Sequence, residues 1–298
     1  MKLADFVAGT AQALPLQGIS QDGALAREIQ DRLGKARLLD PPTDGNFGSA
    51  SRWALGAFFH LASLDPAKGI DSAAAQALLG DVGRLLPITA GTALGDRLAA
   101  AMTQGGYWMS HHPECFNIIY VEGMSPDGSP NDNKPDHFND ARFLLQVKKG
   151  GVPTVVGAWE ATTEAGKLYT LNPMVPAGAA RIALGQQKAW SVGLHPGSGA
   201  NQHEALIQTG QILVHRDLNE DFMRDGDKTE TGFFGVNQHW GYDLPVSQVK
   251  DASAGCLVGR ETSGHRAFMA LLKTDPRYGA NHAYRFMTTV LRASDITG

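Results

Sequence analysis

The chain changes its hydrophobic period once, near residue 115, and that change limits what it can fold into. Before it, apolar residues recur at helical spacing. Leu25, Ile29 and Leu33 stand at i, i+4 and i+8 on one helix face, with Gly34 placed to end the helix. From Cys115 the pattern becomes a short β-branched run ending at Val121, and Gly, Pro and Asn dominate the next stretch to Asp140. Helical periodicity followed by strand periodicity, without alternation of the two, reads as an α+β protein. The expected architecture is a small N-terminal helical domain and a mainly β C-terminal domain. The 35 Gly and 15 Pro argue against an all-helical chain.

The expected divisions are a helical domain over 1–64, a helical linker over 65–109 and a β-rich catalytic domain over 110–298. In the first, a turn-rich loop carrying Asp44-Gly45 and Phe47-Gly48 joins two helices, the second with Trp53, Ala54, Ala57, Phe58 and Leu61 on its inner side. The linker is Ala-rich and thin in bulky core residues. Strands are expected over 115–123, 141–147, 154–161, 179–184, 205–209, 212–215 and 233–239. A helix over 265–273 and a strand or helix over 284–291 close the chain.

Charge and length patterns exclude several classes of function. The net charge is -4 and no Lys/Arg-rich run occurs, so nucleic acid and anionic membrane are not expected partners. No run of 18 apolar residues is long enough to span a bilayer. Residues 1–9 contain an early Asp and no sustained apolar region, so no signal peptide is read. The two cysteines, Cys115 and Cys256, cannot build a dense disulfide framework.

Chemistry concentrates near the C-terminal end. Cys256 follows the small-residue run Ser253-Ala254-Gly255, which leaves a thiol accessible, and His239 ends an expected strand upstream. A thiol needs a base or a positive field to attack near neutral pH, and His239 is the candidate base. Gly255 permits a tight turn, so the amides of Gly255 and Cys256 are candidate oxyanion donors.

This arrangement resembles the L,D-transpeptidase family, whose signature is a strand-end His followed by Ser/Thr-His-Gly-Cys and a hydrophobic residue. His239, Ser253, Gly255, Cys256 and Leu257 match; Ala254 stands where the family has a second His, and Val258 where it has its usual Arg, with Arg260 two residues on. The N-terminal pattern of Ile29, Gln30, Leu33, Asp44, Gly45, Phe47, Gly48, Ala54 and Phe58 is similar to small peptidoglycan-binding domains. Together the two resemblances imply an enzyme that acts on stem-peptide bonds of peptidoglycan by cysteine acyl transfer, either hydrolysis or transpeptidation. Cys256, His239, Gly255 and Ser253 would be catalytic, Arg260, Asn237, His215 and Asp217 substrate-binding, and Asp44 and Phe47 wall-binding. Such a chain would act at the cell wall or periplasm, after export or phage-type release.

A second constellation is Asp217-x-Asn219-x-Asp221, whose oxygen spacing suits a calcium loop, although Phe222 replaces the needed Gly and Lys228 the closing Glu. The competing interpretation is an Asx-rich turn bonding its own backbone. No His-Glu-x-x-His run points to zinc, and no cofactor is expected. The alternative functions are a lysozyme-like glycan hydrolase using Asp217, Asp221 and Asp225, as in a phage-type endolysin, and a non-catalytic wall-binding protein.

Overall fold

The computed structural model describes residues 1–196 and 202–297. It is a mixed α and β fold in which an N-terminal helical unit docks on a closed barrel.

Helices α1 (Leu3–Val7), α2 (Gly23–Lys35), α3 (Ser49–Leu61) and α4 (Ser72–Leu79) share one core. The α2 stripe supplies Leu25, Ile29 and Leu33, and Asp22 caps the helix by accepting the Ala24 and Leu25 amides. The stretch 65–109 divides between two bodies. Ala74, Ala75, Leu78 and Val82 complete the helical core, whereas α5 (Leu94–Gln104) lays Leu98 and Met102 on the barrel. Small residues there allow close packing, so few bulky side chains are needed.

Eight strands close the barrel: β1 (Asn117–Glu122), β2 (Asp140–Val147), β3 (Pro153–Thr162), β5 (Gly185–His195), β6 (His203–Gln208), β9 (Gln238–Trp240), β10 (Leu257–Gly259) and β11 (Phe286–Arg292). Their order around it is β1-β11-β5-β6-β9-β10-β3-β2. The pairs β1/β11 and β9/β10 are parallel and the others antiparallel. A separate sheet has the order β4-β7-β8, from β4 (Ala179–Ile182), β7 (Ile212–Asp217) and β8 (Lys228–Gly232). Four further helices are α6 (Lys167–Leu171), α7 (Thr262–Leu272), α8 (Pro276–Ala280) and α9 (Ser294–Thr297).

The near-continuous apolar run of β1 reflects burial on both faces. Ile118 and Tyr120 join one core with Trp190, Leu257 and Phe286, while Ile119 and Val121 join another with Phe143 and α5. Arg142 is buried, its guanidinium 4.0 Å from the Phe268 ring centroid. Gly259 leaves room for it, since a Cβ there would lie 2.5 Å from Arg142 Nη2.

The element expected over 284–291 is the strand β11, and the expected strand 233–239 contracts to β9 because Phe233 to Asn237 instead form the wall of a cavity and the approach to Cys256. Strands β5 and β8 carry Gln186-Gln187-Lys188 and Lys228-Thr229-Glu230, too polar to stand out by hydrophobic period. Across the junction between the two bodies, Asp40 is buried between Lys188 Nζ at 2.7 Å and the Tyr284 hydroxyl at 3.0 Å. Trp108 donates to the Gly34 carbonyl, and the His111 amide to Arg37.

Candidate active site

Parallel pairing of β9 and β10 sets the geometry. Leu257 lies beside Gln238 and Val258 beside His239, so Cys256, just before β10, stands level with Asn237. The Asn237 amide donates to Cys256 Sγ at 3.4 Å, and the thiol donates to the Gly235 carbonyl at 3.6 Å. Cys256 and His239 line one cavity of about 560 Å³, walled by Met174, Val175, Phe233 and Val236 among others.

The turn before the cysteine is held by two devices. Ser253 Oγ accepts the Gly255 amide at 3.1 Å and donates to the Cys256 carbonyl at 2.9 Å. Gly255 has φ +122°, and a Cβ there would lie 2.3 Å from the Ala180 carbonyl oxygen of β4. Glycine is therefore required at 255 both for conformation and for space. Because Ser253 engages the Gly255 amide, the expectation of two oxyanion donors from this turn reduces to the amide of Cys256.

His239 is buried, and its Nδ1 lies 2.8 Å from the Trp240 carbonyl. A carbonyl only accepts, so Nδ1 carries the proton and Nε2 the lone pair. Burial, with His195 and His203 close by, lowers its pKa to about 3. Burial also pushes the Cys256 thiol up to about 11, against the Asn237 amide, which favours the thiolate. The resting pair is a thiol and a neutral imidazole.

His195 carries no signal in the sequence, because β5 itself carries none. Its ring stacks on His239 at 4.0 Å between centroids, inclined by 22°, and lines the same cavity. Asn237 orients it, with Nδ2 3.1 Å from His195 Nδ1 and Oδ1 accepting the Gln208 amide. Burial lowers the His195 pKa to about 4. Asn237 is itself buried, so its part is to hold His195 and, through its amide, Cys256.

The other sequence candidates fall outside this cavity. Arg260 is tied to Glu160, Glu261 and the Leu244 carbonyl and does not line it. His215 and Asp217 lie on the opposite face of β7 from Arg216, which does line the cavity; strand alternation alone separates them. Asp217 accepts the amides of Asp221 and Phe222, Asn219 donates to Asp221, and Asp221 accepts the Met223 amide. This is an Asx-rich turn, and no group of three or more His, Cys, Asp or Glu among the described residues is arranged to hold a metal. Asp217, engaged by two backbone amides, is poorly placed for acid-base work on a glycan.

In the helical unit, Gln30 is the hub of the Asp44 loop. Its Nε2 donates to Asp44 Oδ1, the Asn46 carbonyl and Ser51 Oγ, and its Oε1 accepts the Gly45 amide. Asp44 is exposed, whereas Phe47 is buried in the core and offers no surface to a ligand.

A distinct polar cluster surrounds Glu122, which receives a fork from Arg224. Burial would raise its pKa, but Arg224 and Arg181 outweigh this and hold it low. Burial raises Glu164 to about 8 despite Arg181 at 3.1 Å, and burial together with the Glu122 charge raises Asp140 to about 7.

No protein-family model, curated protein or solved structure matches the chain. Among the described residues no helix is long and apolar enough to cross a membrane.

Proposed function

We propose that the protein is a cell-wall enzyme that binds peptidoglycan and acts on its stem-peptide bonds by cysteine acyl transfer, in the manner of the L,D-transpeptidases it resembles. The observation that carries this reading is that Cys256, just before β10, and His239, on the adjacent parallel strand β9, line one cavity. Neither residue alone argues for catalysis; a nucleophile, an oriented base and a cavity for the acyl group together do.

In the proposed reaction the thiol proton passes to His239 Nε2 as the sulfur bonds to the peptide carbonyl carbon. The carbonyl oxygen becomes an oxyanion facing the Cys256 amide. Collapse breaks the C–N bond, and the imidazolium returns its proton to the leaving amine, leaving an acyl thioester. Water or an acceptor amine then attacks that thioester as His239 takes its proton; the C–S bond breaks and the proton returns to the Cys256 sulfur, giving hydrolysis or transpeptidation. The helical unit would hold the polymer, and the buried Asp40 junction makes it a fixed platform beside the barrel rather than a loosely tethered module. Action at the cell wall or in the periplasm is the consequence of this substrate.

The test is to incubate purified peptidoglycan with wild type, Cys256→Ala and Asp217→Ala and to identify released fragments by mass. New amino termini or exchanged terminal residues, lost in Cys256→Ala and kept in Asp217→Ala, are expected. New reducing ends that persist in Cys256→Ala would replace this reading with a glycan hydrolase.

A further inference from the structure

We propose that Arg181 and Glu164, which do not line the cavity, form a clamp that fixes the turn carrying Cys256, and that both are positioning residues for its thiol and its backbone amide. The clamp concerns the placement of the nucleophile; its bearing on turnover rests on the acyl-transfer reading.

The turn is gripped from two sides. On one, the Ala180 carbonyl of β4 packs so closely on Gly255 that a Cβ there would lie 2.3 Å from its oxygen. On the other, the Gly166 amide donates at 2.9 Å to the carbonyl of Ser253, the residue whose hydroxyl bonds both the Gly255 amide and the Cys256 carbonyl. A Cβ on Gly166 would lie 2.1 Å from the Lys250 carbonyl oxygen, so this approach too leaves no room for a side chain. Asp136 Oδ1 ties the same two segments together by accepting the Lys167 and Lys250 amides at 2.8 and 3.0 Å.

Both grips belong to segments with little support of their own. β4 stands at the edge of its sheet, paired with β7 on one side, and residues 163–166 form the connection between β3 and α6. What joins the two lies on the far face of β4. Strand alternation turns Arg181 away from Ala180, and its Nη2 lies 3.1 Å from Oε2 of Glu164, two residues before Gly166. Contacts therefore run in a closed ring from the Cys256 turn through Ala180, Arg181, Glu164 and Gly166 to Ser253. Each of the two side chains is 10% exposed, and a polar contact shielded from water to this degree is stronger than one at the surface. The shell around them is itself anchored. Arg181 Nη1 donates to the Phe222 carbonyl, Arg224 forks onto Glu122, and the Thr163 hydroxyl lies 2.7 Å from Glu122 and 2.9 Å from Asp140.

The experiment measures iodoacetamide alkylation of Cys256 at pH 7 on the full-length protein, with the labelled cysteine identified by peptide mass. Glu164→Ala and Arg181→Met should each raise the rate roughly tenfold or more, since a loosened turn lets water reach a thiol that burial has pushed up to about 11, and the thiolate gains tenfold with each step its pKa falls. Glu164→Asp, whose carboxyl stops short of Arg181, should fall between these and wild type. The double variant should react no faster than the faster single, because either change alone opens the ring. Burial raises the Glu164 carboxyl to about 8, so at pH 7 it is largely protonated and an amide oxygen reproduces its contact with Arg181. Glu164→Gln should accordingly stay within about threefold of wild type. Asp40→Ala, which weakens the junction between the two bodies, is the stability control and should leave the rate unchanged. Circular dichroism checks folding, and should Glu164→Ala or Arg181→Met not fold, Glu164→Asp against Glu164→Gln decides. A wild-type rate in the clamp variants, equal acceleration by Asp40→Ala, or a double variant that multiplies the single effects would overturn the clamp. On peptidoglycan, kcat should fall roughly 10- to 100-fold in Glu164→Ala with KM nearly unchanged, and a rise in KM alone would contradict a positioning role. Because alkylation needs no peptide, a wild type without turnover would remove the acyl-transfer reading and leave the clamp to stand or fall on the thiol.

Discussion

The thiol of Cys256 should react slowly at neutral pH, and slowly for a specific reason. Burial raises it to about 11 and lowers His239 to about 3, so moving the proton from sulfur to imidazole without substrate costs on the order of 10 kcal/mol. No resting thiolate–imidazolium pair forms, and the base must act as the S–C bond is made. At pH 7 about one molecule in ten thousand carries the thiolate, against roughly 3% for an unperturbed cysteine, so alkylation by iodoacetamide should be about 300-fold slower than for a free thiol. The rate should climb tenfold per pH step through pH 9 without a plateau. Cys115 is fully buried with its thiol raised to about 12, so the single label taken up by the folded protein reports Cys256. Because the imidazole is neutral throughout, His239→Ala should change this rate less than about threefold while abolishing turnover. The assay is mass-resolved alkylation from pH 5 to 10 on wild type and His239→Ala. A plateau below pH 7 that His239→Ala removes would refute the neutral pair and establish a preformed ion pair in its place.

Three further outcomes are expected. Gly255→Ala meets a φ that costs about 1–3 kcal/mol for a side-chain-bearing residue, before the overlap with the Ala180 carbonyl is added; denaturant unfolding should show at least this loss together with lost turnover, and an unchanged midpoint would contradict the geometry. Asp40→Ala leaves Lys188 and the Tyr284 hydroxyl without their buried partner at the junction, so the melting temperature should fall by an amount corresponding to about 2–4 kcal/mol; equal melting of the variant and wild type would show the junction to be energetically idle. Glu164 has a folded-state pKa raised to about 8 from 4.5, so it binds its proton more tightly folded than unfolded. Its contribution is fully present below about pH 4 and is lost as pH rises to 8, at most about 5 kcal/mol. Glu164→Gln should therefore narrow the stability difference between pH 5 and pH 8 in urea titrations, and an unaltered difference would rule Glu164 out as its source.

The α2 stripe of Leu25, Ile29 and Leu33 was legible because a one-sided helix writes its burial into sequence at a fixed interval, and β1 because burial on both faces leaves an unbroken apolar run. Strands β5 and β8 were not, since Gln186, Gln187 and Lys188 pair through the backbone while their side chains reach partners elsewhere, such as Asp40 for Lys188. The Ala-rich stretch 65–109 looked like a connector because small residues carry little periodic signal, though half of it closes the helical core. Closure of the barrel was beyond reach for a more general reason: β1 pairs with β11 across most of the C-terminal part of the chain, and nothing local encodes such a contact.

At the site, short-range signals survived and long-range ones did not. Cys256, Gly255 and Ser253 are neighbours in sequence, and the turn they form is settled among themselves and Ala180. His195 and Arg216 reach the same cavity only through strand pairings that bring β5 and β7 to it, so no spacing could announce them. The bare period-2 rule still carried usable information about β7. Once Ile212 and Val214 are recognised as core residues, Arg216 must follow them inward and His215 and Asp217 must face away, the reverse of the assignment that their chemistry suggested. Ala254 places no imidazole beside Cys256 where the resembled signature has one, yet a histidine from β5 stacks on the catalytic base candidate. The imidazole environment of this cavity is therefore a property of the barrel's strand order and not of the cysteine motif, and substitutions at His195 should act on the orientation of His239 before they act on the nucleophile.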